Sequence, residues 1–99
     1  MTKYLQVEMP NGERWLVPLH IIADDRAKYF AKKDPDTTYE EEYEYALSEE
    51  YEIFDWAANN MNWKEVKEYA KEGGRENLTE RGYQEGWCNG EKEIVELEE

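Results

Sequence analysis

The chain has 99 residues, a formal net charge of −13 and one cysteine, Cys88. Its length predicts a single domain over residues 1–99, and the lone cysteine excludes an intramolecular disulfide. The acidic balance argues against direct binding of nucleic acid or of an anionic membrane surface, because both reward Lys and Arg.

The N-terminus, MTKYLQVEMP, lacks the apolar segment of a signal peptide. No apolar run approaches the length of about 18 residues that a membrane span requires. We therefore expect a cytoplasmic protein that does not associate with membranes. Charged residues make up 37% of the chain and aromatic residues 14%, so the expected core is poor in aliphatic and rich in aromatic side chains.

The N-terminal residues predict a β-hairpin. Apolar and polar side chains alternate over residues 3–9, Asn11-Gly12 follows, and a second strand-like run covers residues 13–17. Asn-Gly favours a two-residue type I′ turn, because that turn needs positive φ at both central positions. Such a turn would place opposite each other Met9 and Arg14, Glu8 and Trp15, and Val7 and Leu16. The buried face would hold Leu5, Val7, Met9 and Leu16, and the other face, solvated or open to a partner, Tyr4, Gln6, Glu8, Trp15 and Val17.

A first helix is predicted from Pro18, which suits a first helical turn, to Lys33. Asp34-Pro35-Asp36 then ends it. His20 is the only histidine, and we expect it to be a surface or packing residue rather than a base or a metal ligand.

The acidic segment, residues 37–63, dominates the chain. No Lys or Arg occurs between Lys33 and Lys64, and ten acids fall in that gap. The periodicity predicts helices over residues 37–47 and 49–60, with Ser48 as the N-cap of the second. The face turned to the core would carry Tyr39, Tyr43, Ala46, Leu47, Ile53, Phe54 and Ala57, with Glu50 as the only charged residue among them. The carboxylates of Glu40, Glu41, Glu44, Glu49 and Glu52 would face water, and Tyr45 and Trp56 would lie on a second face.

Beyond the acidic segment, Asn62-Trp63-Lys64-Glu65 predicts a capping box at the start of a helix that ends at Gly73-Gly74. Residues 75–81 have no clear period and predict a loop or a short turn. Residues 82–97 predict a second hairpin around Asn89-Gly90, which would place Trp87 opposite Lys92 and Tyr83 opposite Glu96.

Together these elements predict the α+β class. The expected architecture is a small antiparallel β-sheet, built from N- and C-terminal hairpins and packed against three or four helices.

Catalytic and metal-binding patterns are sparse. His20, Cys88 and Ser48 are each the only residue of their type, so no nucleophile with a neighbouring base and no zinc-ligand set stands out. Asp34-Pro35-Asp36-Thr37-Thr38 begins like a calcium-binding loop, but the sixth position is not Gly and Tyr45 stands where the bidentate Glu is needed. We therefore predict no catalytic residue, no cofactor and no dedicated metal site, and leave weak divalent binding by clustered carboxylates open.

Three segments carry a resemblance to known sequences. They are Pro10-Asn11-Gly12 with Trp15 and Val17-Pro18, the segment DWAANNMNW at residues 55–63, and YQEGW at residues 83–87 with Asn89-Gly90. This pattern resembles small acidic proteins of marine cyanobacteria and their phages. The resemblance implies a cytoplasmic, phage-encoded protein and transfers no site residues. By analogy, small acidic phage proteins often bind host proteins.

The sequence thus predicts a non-enzymatic protein-binding module, a modulator or inhibitor of a host protein whose surface is basic. Tyr45 and Trp56 would anchor the partner, since Tyr and Trp are enriched at binding hot spots. The candidate partner-binding residues are Glu40, Glu41, Glu44, Tyr45, Glu49, Glu52 and Trp56. One alternative is a DNA mimic whose carboxylates occupy a phosphate-binding groove, and another is a small carboxylate-based or metal-assisted enzyme. The acidic helices could also be solvated faces without a partner, and the oligomeric state is left open.

Overall fold

The computed structural model describes residues 2–71 and 79–97, with Glu80 described by its backbone alone. Its α-helices and strands follow in chain order. The strands are β1 (Thr2–Glu8), β2 (Arg14–Pro18) and β3 (Lys92–Leu97), and the helices are α1 (Leu19–Lys33), α2 (Tyr39–Ser48), α3 (Glu50–Asn60), α4 (Trp63–Val66) and α5 (Glu80–Asn89). A short 3-10 helix, Lys67–Tyr69, follows α4. The predicted α+β class is confirmed.

The described strands form an antiparallel sheet of order β2-β1-β3, so the N-terminal strand lies in the middle. β1 pairs with β2 as the predicted first hairpin, and β3 pairs with β1 along its other edge. The second hairpin is wrong, because residues 80–89 form α5 and not a strand. The opposition of Trp87 to Lys92 and of Tyr83 to Glu96 is wrong for the same reason.

The sequence of α5 contains local features that favour a helix, although its glycines favour turns. The Oγ1 atom of its N-cap, Thr79, accepts a 3.1 Å hydrogen bond from the Gly82 amide. Tyr83 and Trp87 are spaced by four, so they share one helix face, and both are buried. The Trp87 indole donates to the carbonyls of Ala57 at 2.7 Å and Met61 at 3.0 Å. These contacts with the end of α3 outweigh the low helix propensity of glycine.

The loop of the first hairpin begins one residue earlier than predicted. Gly12 donates to the Met9 carbonyl at 2.9 Å, and Met9 donates to the Glu13 carbonyl at 2.8 Å, which leaves a loop of Pro10, Asn11 and Gly12. Gly12 has φ 87°, as expected when a type I turn is followed by one left-handed residue. Proline is favoured at the first central position of a type I turn, whereas in the predicted two-residue turn Pro10 would stand before Asn11, where it has no N–H to donate to the Glu13 carbonyl. The register is therefore Glu8 with Arg14, Val7 with Trp15, and Gln6 with Leu16.

Because of this register, several side chains lie on the sheet face opposite to the one predicted. Trp15 and Val17, predicted on the open face, lie on the face that packs on the helices, with Leu5 and Val7. Leu16 is buried as predicted, but on the opposite face beside Tyr4 and Gln6. There its backbone forms a bridge with Lys71, whose Nζ lies 4.5 Å from the centre of the Tyr4 ring.

The described core between sheet and helices contains the expected aromatic cluster, but it holds more aliphatic side chains than the composition predicts. The Trp15 ring lies 5.3 Å from that of Trp63 in an edge-on arrangement, and Trp63 stacks on Tyr83 at 5.6 Å. Aliphatic and alanine side chains from the strands and helices complete it: Leu5, Val7, Val17, Leu19, Ile22, Ala23, Ala46, Ile53, Ala57 and Val66.

The stretch after α3 only partly follows the sequence prediction. Asn62 is the N-cap of α4, but its side chain donates to Glu65 Oε1 at 3.3 Å instead of accepting from the backbone as in a capping box. α4 ends at Val66 and gives way to the 3-10 helix, earlier than predicted. The predicted stop at Gly73-Gly74 lies outside the described residues.

Candidate partner-binding surface

The acidic segment forms two helices, as predicted. The Thr38 side chain caps α2 by accepting from the Glu41 amide at 3.2 Å. Ser48 is not the N-cap of α3: it is the last residue of α2, and its hydroxyl donates to the Tyr45 carbonyl at 2.8 Å. The break is at Glu49, which has extended backbone angles, φ −121° and ψ 97°.

The core-facing stripe is buried unevenly. Ala46, Ile53 and Ala57 are fully buried, whereas Tyr39 and Leu47 are each 37% exposed. Tyr39 is the first residue of α2 and Leu47 lies just before the break at Glu49, so the two more exposed residues are at the two ends of α2.

Five exposed carboxylates lie on α2, at the start of α3 and at the break between them, and we call them the α2–α3 acidic surface: Glu40, Glu41, Glu44, Glu49 and Glu50. Asp55, further along α3, is exposed as well, but it accepts a hydrogen bond from Asn59. Within residues 2–71 and 79–97, none of these five forms an ion pair with Lys or Arg. Carboxylates elsewhere in the chain do form such pairs, for example Asp24 with Lys28 at 2.9 Å. The surface therefore presents concentrated negative charge that the described bases do not neutralise.

Glu52, predicted to face water, has a structural partner instead. Arg26 of α1 is 6% exposed, and its Nη1 and Nη2 atoms lie 2.9 Å from Glu42 Oε1 and 3.4 Å from Glu52 Oε2. The guanidinium also lies over the rings of Phe30 at 4.6 Å and Tyr45 at 5.2 Å. Sequence periodicity missed this network, because it places Glu52 on α3 but cannot place Arg26 beside it. Glu52 is therefore a weak candidate for partner contact.

The prediction that Trp56 is an exposed anchor is wrong. This residue is 8% exposed, and its indole Nε1 donates to Asp25 Oδ2 at 2.8 Å. Its ring packs against Tyr29 at 5.2 Å and Phe30 at 5.6 Å. The indole therefore joins α3 to α1, and only its edge contributes to an open groove beside Lys28, Lys32 and Asn60.

Two exposed tyrosines lie on the same helices as the α2–α3 acidic surface. Tyr45 is 46% exposed, in agreement with its predicted position, and Tyr51 is 73% exposed. Sequence reasoning did not select Tyr51, although a signal was present. It precedes the buried Ile53 by two positions, which is about 200° around a helix, so it points away from the core.

Tyr39, at the start of α2, is tied to α1. Its hydroxyl donates to Asp24 Oδ1 at 2.5 Å, and this hydrogen bond raises the pKa of Tyr39 to about 12. Burial alone would raise the pKa of Asp24, but the hydrogen bonds from Tyr39 and Lys28 and the charge of Lys28 lower it. Both shifts follow from the contact of Tyr39 at the start of α2 with Asp24 of α1.

Carboxylates also meet at the far end of the sheet. A cleft of about 210 Å³ is lined by Gln6, Glu8, Arg14, Glu91, Lys92 and Glu93. Within this cleft Arg14 lies 3.6 Å from Glu8, and Gln6 donates to Glu93 at 2.9 Å. Lys92 donates to the carbonyls of Cys88 and Gly90 at the end of α5, and burial lowers its pKa.

In the described part of the chain, no group of three or more His, Cys, Asp or Glu side chains is arranged to hold a metal ion. The loop that resembles the start of a calcium site has a local role, since Asp34 Oδ1 accepts from the Asp36 amide at 2.9 Å. His20 is exposed at the start of α1, as expected for a surface residue.

Comparison with protein-family models, with curated proteins and with solved structures finds no match. The resemblance to cyanobacterial and phage proteins therefore stays a prediction. No helix among residues 2–71 and 79–97 has the length and apolar character needed to cross a membrane.

Proposed function

We propose that the chain is a non-enzymatic module that binds a protein with a basic surface through the α2–α3 acidic surface, with Tyr45 and Tyr51 as its aromatic contacts. The observation that carries this proposal is the set of five exposed carboxylates without a described ion-pair partner, beside a tyrosine that is 73% exposed. A cytoplasmic host protein as the target follows from the sequence resemblance and remains a prediction.

The physical roles of the two groups differ. Carboxylates at the rim of an interface steer a cationic partner and set the association rate, and their effect weakens as salt screens it. Tyrosine rings supply most of the contact energy, because they bury a large area at low entropic cost.

The Arg26 network supplies rigidity to this surface. It connects α1 to Glu42 of α2 and Glu52 of α3, so both acidic helices are held on one support. A surface that is ordered before binding loses less conformational entropy when the partner arrives.

The test is affinity capture from a host lysate at roughly 50 mM and 500 mM salt, followed by binary titration with the purified partner. Substituting Glu40, Glu41 and Glu44 together by Gln should weaken binding at least about tenfold, mainly in the association rate. Tyr51→Ala should weaken it through faster dissociation.

The matched control is a Gln substitution of Glu65, Glu68 and Glu85, which are exposed but lie outside the α2–α3 acidic surface. It removes the same net charge, so equal losses in both triple variants would contradict a local binding surface. If the captured protein binds nucleic acid and duplex DNA competes with the chain, the DNA-mimic form of the proposal is supported. Retention of the partner by all variants would contradict the proposal.

A further inference from the structure

The C-terminal strand β3 forms one edge of the sheet, and the described hydrogen bonds show which of its backbone groups point outward. The Glu8 amide donates to the Glu91 carbonyl at 3.0 Å. In an antiparallel pair, residues that hydrogen-bond to the neighbour alternate with residues whose N–H and C=O point away from it. Glu93 and Val95, opposite Gln6 and Tyr4, therefore bond to β1. Lys92, Ile94 and Glu96 point their backbone groups to the open edge.

The other edge of the sheet supports this assignment. Met9 bonds to Glu13 in the first hairpin, so the same alternation predicts that Leu16 of β2 points outward. Leu16 does exchange two 2.9 Å backbone hydrogen bonds with Lys71 on that side. The β2 edge is thus occupied at its centre, whereas no segment among residues 2–71 and 79–97 pairs with the outer edge of β3.

We propose that the β3 edge pairs with β3 of a second copy of this chain, antiparallel, with the two-fold axis at Ile94. In this register Ile94 faces its own counterpart, and Lys92 faces Glu96 of the other copy. The outward N–H and C=O groups of Lys92, Ile94 and Glu96 then all have hydrogen-bond partners in the other copy. This gives about six intermolecular hydrogen bonds, two for each pair of residues that face each other across the two strands. The result is a continuous sheet through both copies.

The side chains favour this register over the two registers whose axis lies one residue away. Lys92 meets an acid, Glu93 meets Val95, and Glu91 meets Leu97, so no described acid stands directly opposite another. Moving the axis to Glu93 would put two carboxylates directly opposite each other, which is destabilising. Moving it to Val95 would place Ile94 opposite Glu96 and reduce the hydrogen-bonded pairs among described residues. An edge strand is usually protected by charges that repel any added strand, but in this register Lys92 lies opposite Glu96. In the single copy Lys92 donates to the carbonyls of Cys88 and Gly90 and Glu96 lies 3.7 Å from Lys3, so a contact between copies forms in exchange for these contacts.

The dimer should be weak and should respond to salt in a distinctive way. A six-residue edge buries far less than the roughly 1,200–2,000 Å² of a typical stable interface. Each copy also carries a net charge of −13, so long-range repulsion opposes association until salt screens it. Dimerisation should therefore strengthen with salt, whereas the partner binding proposed above should weaken. This opposite dependence separates the two proposals, which use different surfaces.

The test is sedimentation velocity from about 10 µM to 1 mM protein at roughly 50 mM and 500 mM NaCl, with amide hydrogen exchange measured by NMR on the same samples. We expect the weight-average mass to rise from 11.9 kDa towards twice that value, and to rise further at high salt. The amides of Lys92, Ile94 and Glu96 should exchange about fivefold more slowly in concentrated samples. The amides of Glu93 and Val95 should be protected at every concentration.

Glu96→Pro removes an outward N–H but no hydrogen bond to β1, a position at which an edge strand accepts proline. It should remain monomeric, and Glu96→Gln, which keeps the N–H, should still dimerise. A chain that stays monomeric at the highest protein and salt concentrations would overturn the proposal. A dimer that forms without slower exchange at Lys92, Ile94 and Glu96 would overturn it as well, and this exchange pattern in the wild type decides the matter even if Glu96→Pro fails to fold.

Discussion

The indole Nε1 of Trp56 donates a 2.8 Å hydrogen bond to Asp25 Oδ2. This bond crosses from α3 to α1 and accompanies the packing of the indole on Tyr29 and Phe30. A tryptophan beside many acids is therefore part of the support of the α2–α3 acidic surface and not one of its contact residues.

Trp56→Phe should lower the free energy of unfolding by about 1–3 kcal/mol, because Asp25 loses a half-buried donor and the smaller ring leaves space. Urea denaturation followed by circular dichroism measures the change. Tyr51→Phe is the control and should change stability by less than about 0.5 kcal/mol, since an exposed ring makes few contacts. Equal stability of Trp56→Phe and the wild type would show that the Asp25 bond contributes nothing.

Arg26→Ala should lower the free energy of unfolding by about 3 kcal/mol. It leaves Glu42 and Glu52 close together without their cation, and removing one partner of a buried ion pair typically costs about 3–5 kcal/mol. The lower end applies because the two carboxylate side chains are 21% and 30% exposed. Lys28→Ala removes an exposed ion pair of the same helix and should cost less than about 1 kcal/mol. A similar loss in both variants, measured by urea denaturation, would contradict the structural role of Arg26.

Gly90→Ala should destabilise the fold by more than about 3 kcal/mol. A Cβ at this position would collide with the backbone carbonyls of Glu8 and Gly86, and neither can move without disturbing β1 or the end of α5. Gly12→Ala meets no neighbouring atom, but its φ of 87° is unfavourable for alanine by about 1–2 kcal/mol. Thermal unfolding of both variants should rank Gly90→Ala as the more damaging, and the reverse order would contradict the close packing of α5 on β1.

Tyrosine ionisation, followed by absorbance at high pH, should show a late phase from Tyr39, whose pKa is raised to about 12. In the unfolded chain this hydroxyl ionises near its ordinary value of 10.0, so the folded state binds the proton more tightly between those values. The contribution of Tyr39 to stability is therefore complete below about pH 10 and is lost as the pH rises towards 12. Tyr39→Phe should abolish the late phase, and Tyr51→Phe should not. A late phase that survives in Tyr39→Phe would assign it to another tyrosine.

The accuracy of the sequence predictions depended on how local each signal was. The hairpin, α1 and the break between α2 and α3 were all predicted, because turns and helix ends depend on a few adjacent residues. The hairpin register differs from the prediction by one residue, because Pro10, and not Asn11, occupies the first central position of the turn. The sequence predicts a strand where the structure has α5, because Gly82, Gly86 and Asn89-Gly90 favour turns. The helical signal in this segment is the spacing of four between Tyr83 and Trp87.

For the candidate surface, too, features within one helix were predicted and contacts between elements were not. The sequence by itself determined that the charge is concentrated on α2 and α3 and that Glu40, Glu41, Glu44, Glu49 and Tyr45 point outward, because helical periodicity sets the direction of a side chain about its own axis. Only the tertiary structure decided that Glu52 pairs with Arg26, that Trp56 bonds to Asp25, and that β3 lies beside β1. The partners in these contacts come from distant parts of the chain, and periodicity within one element carries no information about which other element will pack against it.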